Sequence, residues 1–126
     1  MGLGYHKEPC RYNGKTMTRQ FGRLVLQSTT VWEQLEIPSK AVRWCLKMMT
    51  ASHTLKVSYD KDNPGNRASS ADKVYDTLSG LGVYGSIIQG DGIPESCWVL
   101  PSNTSDEIYI EFITDDWGYF QRGVSQ

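Results

Sequence analysis

The sequence predicts an α+β domain: two layers, with helices packed on one face of a mainly antiparallel sheet. Three observations lead there. Segments 37–52 and 69–82 space their apolar residues at three and four, as a helix does. Segments 54–60 and 106–113 alternate apolar and polar, as a half-buried strand does. Short apolar runs bounded by Gly, Pro, Asn and Ser fill most of the rest.

The elements follow in chain order. Residues 1–16 are rich in Gly, Lys, Arg and Asn and lack periodicity, so a flexible N-terminal arm is expected there, with one domain over 17–126. FGRLVLQS (21–28) reads as a strand centred on Leu24, Val25 and Leu26. Pro38 and Ser39 start a helix on which Val42, Cys45, Leu46 and Met49 share a face. TLKVSYD (54–60) is a strand with Leu55, Val57 and Tyr59 on one side, and KDNPGN (61–66) is a tight loop. In SSADKVYDTLSGLG, Ser69 or Ser70 caps a second helix, Val74, Leu78 and Leu81 form its stripe, and Gly80 or Gly82 ends it. VYGSIIQ (83–89), CWVL (97–100) and DEIYIEFI (106–113) are three further strands.

Bulk composition narrows the function classes. A length of 126 residues suits one domain, and 39% apolar with 21% charged residues is ordinary for a globular chain. The net charge of −1 speaks against a protein that coats DNA and against an acidic DNA mimic. The three cysteines form no C-x-x-C pair and there are only two histidines, so no metal site is spelled out. No apolar run suits a membrane span, and the first residues have no hydrophobic signal core. A cytoplasmic setting is expected.

GLGVYG (80–85) spells G-x-G-x-x-G. A dinucleotide loop needs a strand before the glycines and a helix after them. Here the expected order is the reverse, so no nucleotide cofactor is predicted. Gly85, inside a strand, is read instead as a place of close backbone approach.

The candidate chemistry lies on strand faces. In DEIYIEFI, Ile108, Ile110 and Phe112 share one side while Glu107, Tyr109 and Glu111 share the other. Together with Tyr84 and Ser86 these would make a mixed face of aromatic, hydroxyl and carboxylate groups. Such a face is either a solvated one with cross-strand pairs or a site for a ligand or a second subunit.

KVYDTLSGLGVYGSI, followed by Asp106-Glu107 at the head of a strand, resembles the bacteriophage S-adenosylmethionine lyases, also called SAM hydrolases. The likeness spans about residues 54–113. It implies a ferredoxin-like fold, a homotrimer with sites between subunits, and cleavage of S-adenosylmethionine to 5′-methylthioadenosine and homoserine lactone, an anti-restriction activity in an infected host. The substrate's own carboxylate would attack, so neither nucleophile, metal nor cofactor is implied. By this resemblance Glu107 binds the methionine amino group or orients the tail, and Tyr84 lies near the sulfonium. Gly85 and Ser86 let the substrate approach the backbone, Tyr109 is a further substrate-binding candidate, and Asp106 is a weaker one because it lies on the opposite side of the strand. The rival expectation is a non-enzymatic protein that binds a nucleotide or inhibits a host protein. The Arg and Lys residues of 7–23 raise nucleic-acid binding, but no aromatic RNA-binding signature accompanies them, and neither a nucleic-acid nor a membrane partner is expected.

Overall fold

A computed structural model describes residues 6–67, 74–80, 87–90, 92–115 and 121–122. Among these residues every regular element is a strand, apart from one 3-10 turn over Pro64–Asn66. The strands are β1 (His6–Tyr12), β2 (Lys15–Leu26), β3 (Glu33–Glu36), β4 (Ala41–Met48), β5 (Thr54–Ser58), β6 (Asp76–Ser79), β7 (Ile87–Gly90), β8 (Ser96–Pro101), β9 (Asp106–Thr114) and β10 (Gln121–Arg122). They build two antiparallel sheets, β1-β2-β9-β4-β7 and β10-β3-β8-β5-β6. Within them, β2-β9-β4-β7 faces β3-β8-β5-β6, which is the strand order of a jelly-roll sandwich. The two added strands sit at edges.

The α+β expectation, ferredoxin-like arrangement included, is therefore overturned. The segment 37–52, read as a helix, contains β4. Its apolar residues fit two periods at once. Val42, Cys45, Leu46 and Met49 suit a helix, but Trp44, Leu46 and Met48 alternate with Arg43, Cys45 and Lys47. The strand period wins because β4 lies between two partners whose inward residues match its own. Trp44 stands opposite Phe112, Leu46 opposite Ile110 and Met48 opposite Ile108. All six are buried. A register shift between Ala41 and Arg43 absorbs the residue that does not fit.

The second expected helix, over 69–82, fares likewise. Asp76–Ser79 is β6, paired with β5 so that Leu78 faces Leu55 in the core. Val74, assigned to the buried stripe, is 75% exposed. Residues 68–73 and 81–86 lie outside the described residues. Gly80 is no helix stop. Its N–H donates to the His53 carbonyl at 2.9 Å and its carbonyl accepts from the Ser52 N–H at 3.1 Å. A Cβ there would fall 1.8 Å from the Thr50 carbonyl oxygen. A close backbone approach therefore occurs at Gly80, and Gly85, for which one was expected, is among the undescribed residues.

Residues 6–16, expected as part of an arm, form β1 and the start of β2. They pair from His6 opposite Phe21 to Tyr12 opposite Lys15. The hairpin turns on Asn13 and Gly14, at φ of 50° and 75°. This Asn-Gly pair makes the left-handed turn whose twist matches two antiparallel strands.

One core fills the space between the sheets. Leu24, Leu26, Trp44, Leu46, Met48, Ile108, Ile110 and Phe112 come from the first sheet, and Leu35, Leu55, Val57, Leu78, Cys97 and Val99 from the second. Among the described residues no helix is long and apolar enough to cross a membrane.

Candidate functional site: the outer face of the first sheet

Alternation along β9 decides what this face carries. Asp106, Ile108, Ile110 and Phe112 are buried, while Glu107, Tyr109 and Glu111 are half-buried on the other side. Register supplies the neighbours. On β2, Val25, Arg23 and Phe21 stand opposite Glu107, Tyr109 and Glu111. On β4, Lys47 and Cys45 stand opposite Tyr109 and Glu111. β1 adds His6 beside Phe21, and β7 adds Gln89 beside Cys45. The result is an open trough of about 750 Å³.

Opposite charges alternate across it. Arg23 meets Glu107 at 3.1 Å, the arginine side chain largely exposed and the glutamate partly so. Arg19 Nε donates to Glu111 Oε2 at 2.8 Å, and its Nη1 reaches Glu8 at 3.1 Å. The Tyr109 hydroxyl donates to Glu111 Oε1 at 2.9 Å. Arg19 also lies 4.3 Å from the centre of the Phe21 ring, on which His6 stacks at 5.2 Å. The Arg43 guanidinium hydrogen-bonds the Gln89 carbonyl oxygen.

These contacts shift the titrating groups. Tyr109 is pushed up to about 12, first by burial and then by its bond to the Glu111 carboxylate. Cys45 is pushed up to about 11 by burial, with the Glu111 charge adding to it. Arg19 is raised by its bond to Glu111. Each shift keeps its group in the neutral-pH form: phenol, thiol and guanidinium. None is a poised nucleophile.

Of the residues singled out in the sequence, Glu107 and Tyr109 share this trough. Asp106 does not. Its side chain is 6% exposed and turned inward, with both oxygens on His53 Nδ1 at 2.8 and 3.0 Å. The pair ties the turn after β4 to the head of β9. Tyr84, Gly85 and Ser86 lie outside the described residues. Sequence reading missed Arg19, Phe21, Arg23 and Lys47, because it gave Arg19 no element, began the first strand at Phe21 and took the segment of Lys47 for a helix. The signal was present: Arg19, Phe21 and Arg23 alternate with the buried Gln20, Gly22 and Leu24.

Among the described residues no cluster of three or more His, Cys, Asp or Glu side chains could hold a metal ion. No known family model and no curated protein matches the chain.

Proposed function

We propose that the chain is a binding domain, and that the trough over the first sheet takes a small molecule carrying a cation, an anion and an aromatic part. One observation supports this reading: Glu107 and Glu111 lie between Arg19 and Arg23 on one side and Lys47 on the other, around the rings of Tyr109 and Phe21. A zwitterionic ligand would exchange its charges with this ladder. Its cation would take Glu107, its anion Arg23 or Lys47, and its ring a place against Tyr109 or Phe21. Opening the exposed Arg23–Glu107 pair costs only ~0–1 kcal/mol.

S-adenosylmethionine has all three parts, so it is the first ligand to try. Cleavage is the second reading, favoured by Glu107 and Tyr109 standing on one wall. Intramolecular attack by the substrate's carboxylate needs positioning and exclusion of water rather than a nucleophile. An open trough suits binding better than it suits that step, which is why binding stands first.

The experiment is a calorimetric titration with S-adenosylmethionine, followed by chromatography of the same mixture for methylthioadenosine. Heat that Glu107→Gln abolishes, without product, supports binding alone. Product supports the lyase reading as well. Neither heat nor product sinks both. Mass measured in solution on that sample reads the homotrimer that the resemblance implies.

A further inference from the structure

A second cavity, of about 810 Å³, opens beside β5 and β6, away from the trough. We infer that it is a binding site for a neutral carbohydrate. Its walls are the rings of Tyr59 and Tyr75, with Val57 at its base. Both rings are fixed from behind. Tyr59 meets the edge of buried Trp44 at 5.6 Å, and Tyr75 meets Trp32 at 5.9 Å with the Lys56 ammonium 5.0 Å from its ring centre. They are 39% and 38% exposed. Large apolar side chains in that state, with Val74 at 75% beside them, mark a surface built to be covered.

The polar groups decide what covers it. Asp60, Asn66, Arg67 and Asp76 line the same cavity. Asp60, Asn66 and Asp76 each carry a planar group with two hydrogen-bonding atoms, suited to neighbouring hydroxyls on one sugar ring. Arg67 is held by Asp60 through contacts of 2.6, 2.7 and 2.9 Å, with Asp62 at 3.8 Å. That bond keeps Asp60 below the ordinary carboxylate range, so it stays an acceptor at neutral pH. The lining carries two carboxylates against one guanidinium, a net −1, which disfavours phosphate and other anions. A purely apolar peptide would desolvate the Asp76 carboxylate and offer it no hydrogen bond. A divalent cation would have to displace Arg67 from Asp60. A neutral polyol meets all three conditions: hydroxyls for Asp60, Asn66 and Asp76, no charge, and an apolar C–H face for a tyrosine ring. Jelly-roll sandwiches serve lectins among many other proteins, so the fold permits this reading without arguing for it.

The test uses the whole chain and a fixed panel: the methyl glycosides of glucose, galactose, mannose and N-acetylglucosamine, with lactose, maltose and chitobiose. Binding is followed by backbone amide NMR shifts. At least one glycoside is expected to move amides around Tyr59, Arg67 and Asp76, and to leave those of β9 near Glu107 in place. Asp76→Asn and Tyr75→Ala are expected to weaken that binding roughly tenfold or more. Both positions are exposed enough that the fold should survive, and an unchanged Tm confirms it. No shift with any panel member, shifts confined to the trough, or full binding by both variants would each overturn the proposal. So would displacement of the sugar by inorganic phosphate, since that would mean an anion site.

Discussion

Glu111 accepts from Tyr109 and Arg19 at once, so it contributes to the state of both. A carboxylate beside a phenol opposes formation of a second negative charge, and its hydrogen bond stabilises the protonated phenol. Glu111→Gln removes the charge and weakens the bond, while Arg19 remains nearby to favour phenolate. Tyr109, pushed up to about 12 by burial and by this bond, should then titrate lower. Ultraviolet absorbance against pH reads this directly, with Tyr109→Phe identifying the transition. The same variant should lose about 1 kcal/mol of stability, the usual worth of a charged hydrogen bond that is partly solvated. An unmoved tyrosine transition would mean that burial alone raises Tyr109.

Cys45 offers a second check on the same face. With its thiol raised to about 11, little thiolate exists at neutral pH. Alkylation of the folded chain by iodoacetamide at pH 7.5 should be at least tenfold slower at Cys45 than in the denatured chain. Cys97, buried between the sheets, should react only on unfolding. Peptide mass spectra of timed samples separate the two sites. Cys45 labelling as fast as in the denatured chain would contradict its burial.

At the scale of the element, legibility depended on how many patterns a segment satisfied. DEIYIEFI fits one period only, and β9 carries the faces that its alternation predicts. Residues 41–48 fit two, and only the register with Phe112, Ile110 and Ile108 decides between them. That information lies sixty or more residues away, so no local reading reaches it. The Asn13-Gly14 turn was locally legible as a hairpin signal, yet the charged residues around it suggest an arm. Glu107 and Tyr109 were legible as face-mates because alternation within one strand is local. Arg23 and Lys47 join them only through pairing across strands, and that depends on the order β2-β9-β4.

Gly80 tests this assembly. It ends β6 against the 49–53 turn, with both of its backbone groups bonded there. A methyl group would meet the Thr50 carbonyl at 1.8 Å, and backbone has little room to yield. Gly80→Ala should therefore cost about 3 kcal/mol or more. For a chain of this size that is a fall in Tm of roughly 10–20 °C. A fall of a degree or two is what a helix C-terminal glycine at a tolerant site would give, and it would argue for the helix over 69–82 instead of β6.

The whole sandwich shares one consequence of its packing, which is sensitivity to alkali. Cys45, Tyr59, Cys97 and Tyr109 are all raised above their ordinary values, burial being the first cause in each. They belong to both sheets and to the core between them. An acid whose folded pKa is raised is held neutral by the fold. It contributes its stability in full below the unfolded value, and that contribution is lost as pH climbs toward the folded value. The unfolded values are about 8.5 for cysteine and about 10 for tyrosine. Cys97, raised to about 12, loses its share from about pH 8.5 upward. The tyrosines join about a unit and a half later. The Tm should accordingly hold steady from neutral pH to about 8.5, then decline in two overlapping stages. Cys97→Ala should make the first stage shallower, because it removes the more strongly raised of the two thiols that ionise there, while Cys45 keeps its part and the second stage stays in place. The variant will start from a lower Tm, since removing the sulfur leaves a small void, but the slope against pH carries the information and the starting point does not. A Cys97→Ala chain that declines as steeply between pH 8.5 and 10 as the parent would show that the buried thiol does not govern the alkaline limit of the fold.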